Sequence, residues 1–255
     1  MKKIILILIF SIHSLISGNY SLYDINSLSE VISCVDNNTL VIFDIDNTLL
    51  HPATDLGSDQ WFYHKVQELM LDGIDHQKAL QEMLPIYFHI NHHIHLVPTE
   101  ADALEIVKQI QQKTDFVMCL TARSLSLIRV TQEQLRKNNF SFKLFDLKHH
   151  EFHLTYPCCY SDGVLFCASN DKGIALFALL DHVGFTPGKI IIIDDKEKNL
   201  HALIHAAQKR KIPCIGLRYA GCDHRVVNFD KHRTQVEFED FISKHPLATN
   251  LGENK

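Results

Sequence analysis

The chain has 255 residues, of which 46% are hydrophobic and 22% charged, a balance that suits a packed globular fold and is too apolar for a largely disordered chain. Ten glycines and seven prolines exclude a collagen-like or linker protein. A formal charge of −5 gives no basic footprint, so neither nucleic acid nor an anionic membrane surface is an expected partner.

Taken in chain order, Lys2-Lys3 precede an apolar run, Ile4 to Phe10, that continues with interruptions to Ile16 and ends at the small residues Ser17-Gly18. This is the charged, apolar and small-residue order of a secretory signal, so residues 1–18 are expected to direct export, to the periplasm or beyond the cell. The run is shorter than the roughly 20 apolar residues of a spanning helix, and no stable membrane anchor is expected. Ser27-x-x-Glu30 is a capping box that opens a short helix. Thr39 to Phe43 reads as an apolar strand. Residues 58 to about 84 look helical, with a break near Gly73 and an end at Pro85. Thr99 is expected to cap a further helix, followed by a strand from Asp115 to Leu120, a helix over 124–138 and a strand over 142–145. A looser region, 146–170, leads to a helix over 172–183. The strand Lys189 to Ile193, a helix over 196–209, the strand Pro213 to Leu217 and a helix near 235–244 complete the series. Residues 246–255 are polar and expected to be disordered.

Strands that alternate with helices predict an α/β fold: a doubly wound, Rossmann-like, mostly parallel five-stranded sheet. More than 50 residues separate the first of these strands from the helix near Thr99, more than a crossover needs. Residues 51–97 are therefore expected to form a helical cap inserted after the first strand, with the core domain built from 19–50 and 98–245. In such a sheet, ligands bind beyond the carboxyl ends of the strands.

Chemistry-bearing residues stand at those ends. Asp44-Ile45-Asp46-Asn47-Thr48 follows the first strand, Thr121-Ala122-Arg123 the second and Asp194-Asp195 the fourth, with Lys172 opening the helix before it. Carboxylates gathered at one sheet edge repel one another unless a cation sits among them. Oxygen ligands without neighbouring His or Cys point to Mg²⁺.

These segments resemble the haloacid dehalogenase (HAD) superfamily. Val41-Ile42-Phe43-Asp44-Ile45-Asp46-Asn47-Thr48-Leu49-Leu50 is similar to its motif I, and Thr121 within Cys119-Leu120-Thr121-Ala122-Arg123-Ser124 to motif II. Lys172 within Asn170-Asp171-Lys172-Gly173 is similar to motif III, and Ile190 to Asp195 followed by Lys196-Glu197-Lys198-Asn199-Leu200 to the double-Asp form of motif IV. The order is the family's and spans about residues 39–217. The signal and Leu56-Gly57-Ser58-Asp59-Gln60-Trp61-Phe62 resemble exported bacterial members, including a subgroup of unassigned function.

The resemblance implies a phosphomonoester hydrolase. Asp44 would attack phosphorus, and Asp46 would act as general acid and base, with a carboxyl raised toward neutrality. Thr121 and the backbone at Ala122 would hold phosphoryl oxygens, and Lys172 would offset their charge. Mg²⁺ would be held by the Asp44 carboxylate, the Asp46 carbonyl, Asp194 and Asp195, directly or through water. The expected partner is a small phosphorylated substrate; the sequence assigns no oligomeric state. The alternative is an exported HAD-fold binding or host-interaction protein without turnover.

Other features carry less. Arg123 and Asn199 lie near the expected site without an assigned role, and Trp61 and Phe62 read as cap core. Seven cysteines include no C-x-x-C pair. Cys158, Cys159 and Cys167 flank the turn-like Ser161-Asp162-Gly163, where one disulfide and buried free thiols are both open readings. His89, His92, His93 and His95, and later His149, His150 and His153, match no catalytic zinc signature. Gly184 to Lys189 has too few residues between its glycines for a P-loop.

Overall fold

The computed structural model describes residues 19–247; the signal over 1–18 and the tail from 248 lie outside the described residues. Among the described residues ten strands are present: β1 Tyr20–Ile25, β2 Thr39–Phe43, β3 Leu50–Pro52, β4 Leu96–Pro98, β5 Val117–Thr121, β6 His149–His153, β7 Pro157–Ser161, β8 Val164–Phe166, β9 Lys189–Asp194 and β10 Cys214–Tyr219. The helices are α1 Asp59–Leu71, α2 His76–Asn91, α3 Ala103–Lys113, α4 Ile128–Lys137, α5 Lys172–Val183, α6 Glu197–Arg210, α7 Asp223–Val227 and α8 Lys231–Lys244.

The fold is α/β, built on a sheet of order β1-β10-β9-β2-β5-β8-β7-β6. Every pairing from β1 across to β8 is parallel, and β8-β7 and β7-β6 are antiparallel. The central strands are apolar between their end residues because both faces are covered. Val41, Phe43, Ile191 and Ile193 pack on one face with Ile106, Val107 and Ile110 of α3 and Leu135 of α4. Leu40, Ile42, Ile190 and Ile192 pack on the other with Leu176 and Leu180 of α5 and Leu203 of α6. The period-2 alternation of strand side chains thus sorts one run of residues into two cores.

The sheet has eight strands, not the expected five, and the strand that carries Asp44 is second in the chain. β1 lies at the edge beside β10, Tyr20 opposite Cys214. The segment 142–145 is not a strand. The place beside β5 is filled by β8, with Cys119 opposite Val164, and Phe142 turns into the core against Phe43, ring centroids 6.5 Å apart. Gly163, at φ 81°, lets the β7–β8 turn approach so closely that a Cβ there would stand 2.2 Å from the Phe142 carbonyl oxygen. β6 to β8 lie within the region expected to be loose. β6 alternates exposed and half-buried residues at the sheet edge and lacks an apolar run.

Between β2 and α3 the chain forms the antiparallel pair β3–β4 and the helix pair α1–α2. Ser58 caps α1 by accepting from the Trp61 N–H. Pro85 does not end its helix: it lies within α2, on the exposed face, where the carbonyl it leaves without a donor can meet water. Thr99 is not a cap either; its hydroxyl donates to the Thr48 carbonyl at 2.7 Å, and α3 begins at Ala103. Trp61, Phe62, Val66, Met83 and Ile90 form a separate apolar cluster that Phe241 of α8 completes. Asp55 pairs with Arg225 and Arg233, tying the start of this segment to the C-terminal helices. All seven cysteines are free, and Cys158, Cys159 and Cys167 are buried.

Candidate active site

Around β2 the sheet reverses its winding: β5 follows on one side, and the chain returns through β9 on the other. Side chains just beyond the carboxyl ends of these strands share one crevice. Asp44 follows β2 directly, its N–H donating to the Ile193 carbonyl of β9 at 2.9 Å. The chain then turns tightly: the N–H groups of Leu49 and Leu50 both donate to Ile45 O, and Asn47 N–H donates to Leu50 O. Asn47 adopts a left-handed φ of 56°, a conformation Asn tolerates better than most residues. Its side-chain amide reaches Asp195 Oδ2 at 3.3 Å.

Lys172 Nζ lies 2.9 Å from Asp44 Oδ1 and 2.6 Å from Asp194 Oδ2. It is placed there by the first turn of α5, which Asp171 caps through the Ile174 N–H. Gly173 allows that turn to lie against α6: a Cβ would stand 2.6 Å from the Ala202 carbonyl oxygen. Asp194, fully buried, also accepts from the Lys196 N–H and the Asn199 side chain at 2.8 and 2.9 Å. Burial pulls the Lys172 ammonium toward its neutral form, and the carboxylates of Asp194 and Asp44 outweigh that pull and hold it protonated.

Asp44, Asp194 and Asp195 bring carboxylate oxygens within 4.8 Å of one another. Burial pushes the Asp44 carboxyl well above its usual range; Lys172 opposes that rise, and Asp194, Asp195 and Asp46 add to it. Burial also lifts Asp195, to about 7, against the pull of Lys196. Asp195 Oδ1 is buried without a hydrogen-bond partner. A cluster of three carboxylates with one oxygen left unpartnered is what a hard divalent cation would satisfy, so the donor set fits Mg²⁺.

Asp46 departs from expectation. Burial favours its neutral form, but Arg123 holds the carboxyl below its usual range through charge and hydrogen bonds. The pair is bidentate, Nε to Oδ2 at 2.9 Å and Nη2 to Oδ1 at 2.7 Å, and Arg123 is anchored from behind by Thr131 and Gln134 at 2.8 and 2.7 Å. A carboxyl raised toward neutrality is therefore not what the geometry gives: a fixed guanidinium stabilises the charged form.

Thr121 ends β5 with its hydroxyl accepting the Arg123 N–H at 3.2 Å, while Ala122 lines the crevice itself. The structure thus brings Asp44, Asp46, Ala122, Lys172, Asp194 and Asp195 together, with Thr121 directly behind. Sequence reasoning left Arg123 and Asn199 without roles and did not single out Asn47 or Lys196. All four stand within five residues of a strand-end carboxylate or hydroxyl, a signal of position without direction. Lys196 reaches out of the sheet to pair with Asp59 at the start of α1, and its ammonium lies 5.8 Å from the Tyr63 ring centroid.

Above the crevice lies a cavity of about 620 Å³, bounded by Asp44, Asp46 and Lys172 below and by residues of α1 and α2 above.

The family described as "Protein of unknown function (DUF2608)" matches residues 22–249. The chain belongs to this family. The match takes in every strand-end residue of the crevice. Relatives include a protein of Chlamydia trachomatis described as "Putative outer membrane protein", 29% identical over 72% of this chain and 70% of that protein. A protein of the same description from Chlamydia muridarum is 28% identical over 79% and 78%. Among solved structures, a HAD-superfamily hydrolase of subfamily IA from Geobacter sulfurreducens superposes with a TM-score of 0.40 at 14% identity, covering 75% of this chain and 98% of that one. A HAD family hydrolase from Salmonella enterica serovar Typhi gives 0.39 at 15% identity, over 72% and 68%.

Proposed function

We propose that this chain is a Mg²⁺-dependent phosphomonoester hydrolase that works through an aspartyl-phosphate on Asp44. The observation that carries this reading is the clustering of the Asp44, Asp194 and Asp195 carboxylates, with one Asp195 oxygen unpartnered and Lys172 bridging Asp44 and Asp194. Ordered resemblance to the four HAD motifs supports it.

In this reading an Asp44 carboxylate oxygen bonds to phosphorus as the ester P–O bond breaks, and water later displaces the phosphoryl group from Asp44. Lys172 neutralises charge on the nucleophile and the transferred group. Asp44, Asp194, Asp195 and the Asp46 carbonyl would hold Mg²⁺, which when bound screens the phosphoryl oxygens from the surrounding carboxylates. Thr121 supports the backbone that presents Ala122 to those oxygens. Asp46 must give a proton to the departing alcohol and take one from water. A phosphate dianion is a stronger claimant for a bidentate guanidinium than a partly solvated carboxylate. Substrate binding would thus draw Arg123 from Asp46 and free that carboxyl for proton transfer. The helix pair within 51–97 would act as the cap.

One observation favours the second reading, a HAD-fold binding protein without turnover: the Arg123 clamp withholds Asp46 from acid chemistry in the absence of substrate. The two readings part on phosphate release from a panel of small phosphomonoesters, run with Mg²⁺, with EDTA, and with Asp44→Asn. Release that requires both the metal and Asp44 supports the hydrolase. No release from any member by folded protein overturns it.

Export is part of the same proposal. It rests on the signal-like residues 1–18 and on the outer-membrane descriptions of the chlamydial relatives. Among the described residues no helix is long and apolar enough to cross a membrane. N-terminal sequencing of the protein recovered outside the cytoplasm should begin near Asn19; recovery only of cytoplasmic protein beginning at Met1 contradicts it.

A further inference from the structure

The walls of the cavity above Asp44 differ sharply from its floor. Phe62 and Tyr63 of α1, Leu84, Tyr87 and Phe88 of α2, and Tyr156 from the β6–β7 turn line it. Five of these six carry aromatic rings, and Phe62 packs against both Tyr63 and Tyr87, at centroid distances of 5.4 and 4.9 Å. Tyr63, Leu84 and Tyr156 are also three of the large apolar side chains the protein leaves exposed, at 56%, 37% and 53%. Apolar side chains gathered at the mouth of one cavity mark a surface that binds something apolar.

The charged groups point the same way. Each charged side chain that lines the cavity already has an opposite partner: Arg123 has Asp46, Lys172 has Asp44 and Asp194, and Lys196 has Asp59. The hydroxyls of Ser124 and Ser126 bond to each other at 2.6 Å. A second phosphate or a carboxylate on the substrate would find no uncommitted cation in this wall. A sugar would meet ring faces and aliphatic carbons over most of this wall, with few groups to replace its bonds to water.

From these walls we infer that the substrate is a phosphomonoester of an uncharged aromatic or otherwise apolar alcohol, its ring or chain seated between Phe62, Tyr63, Leu84 and Tyr156. The inference rests on the phosphatase reading for the phosphate end and on the cavity walls for the alcohol. Hydrolysis breaks the ester P–O bond; water supplies hydroxide to phosphorus and a proton to the released alcohol. A planar ring gains offset or edge-to-face contact with the wall aromatics. The volume of about 620 Å³ accommodates a ligand of that kind.

The test compares 1-naphthyl phosphate with glycerol 3-phosphate and glucose 6-phosphate on the purified protein, with and without Mg²⁺, and repeats it with Asp44→Asn, Leu84→Gln and Tyr156→Ser. The last two residues are exposed, so their substitution leaves the core intact. The inference expects kcat/KM for naphthyl phosphate to exceed that of either polyol ester by about tenfold or more, and the ratio to fall by about tenfold in Leu84→Gln or Tyr156→Ser. Asp44-dependent turnover that treats the three esters alike, or prefers the sugar or glycerol ester, overturns the substrate class and leaves the phosphatase standing. No Asp44-dependent turnover of any ester overturns the phosphatase. Quenching of naphthyl phosphate fluorescence on titration with the protein then decides the pocket alone. Saturable binding weakened by Tyr156→Ser upholds the apolar site, and absence of binding overturns it.

Discussion

The pairing of Asp46 with Arg123 is the contact on which the proposed chemistry turns. Arg123 is fixed by four side-chain hydrogen bonds, two of them to Asp46. In the proposed mechanism it would act as a preorganised planar donor that exchanges Asp46 for a phosphate. Asp46→Asn keeps the shape but removes the proton carrier. Turnover is expected to fall about a hundredfold or more, and urea unfolding to show a loss of about 2 kcal/mol, less than for a fully buried pair because Asp46 is partly solvated. Full activity in that variant contradicts the acid–base role. Arg123→Lys keeps the charge and loses the fork; KM for phosphomonoesters is expected to rise several-fold with a smaller change in kcat. The opposite split in the kinetic constants would place Arg123 in the transition state rather than in substrate capture.

Among the elements, α5 carries the most consequence for the site, because it alone delivers Lys172. Its first turn lies against α6 at the Gly173–Ala202 approach. Gly173→Ala inserts a methyl group where no space exists, and a loss of about 1–3 kcal/mol is expected, read as a lower thermal midpoint, together with reduced turnover as Lys172 is displaced. An unchanged midpoint would mean that the two helices can separate freely. The elements most legible in the sequence are those whose burial is symmetrical. β2, β5, β9 and β10 are apolar runs because both faces are covered, and each was readable within about two residues. β6 to β8 were not, because an edge strand such as His149 to His153 alternates exposed polar residues with half-buried His150 and Phe152 and carries no apolar run. The run 142–145 looked like a strand because Phe142 and Leu144 are apolar, yet their burial serves packing rather than pairing. The strand-end residues were legible for the same reason as the central strands: an apolar run that ends abruptly in a carboxylate marks the sheet edge. What those carboxylates touch was not, since the Arg123 fork and the Asn47 and Asn199 amides reach them through tertiary geometry.

At the scale of the whole molecule, the C-terminal helix braces the helix pair that walls the cavity. Phe241 completes the apolar cluster of α1 and α2, Trp61 and Phe238 lie 5.7 Å apart, and the Leu56 N–H donates to Glu237 at 3.0 Å. The helix pair that walls the cavity is thus held from outside the sheet. Phe241→Ala is expected to cost about 3 kcal/mol and to raise hydrogen exchange in α1 and α2 ahead of the sheet strands. Uniform exchange across both regions would show that they unfold as one body. The central claim is that Asp44 accepts the phosphoryl group, and the most direct measurement is acid-quench mass spectrometry of the protein mixed with its fastest ester. One phosphoryl group on the peptide that contains Asp44, released by hydroxylamine and absent from Asp44→Asn, is the predicted result. Turnover that persists in Asp44→Asn, or that proceeds with no phosphoryl group on that peptide, would contradict it.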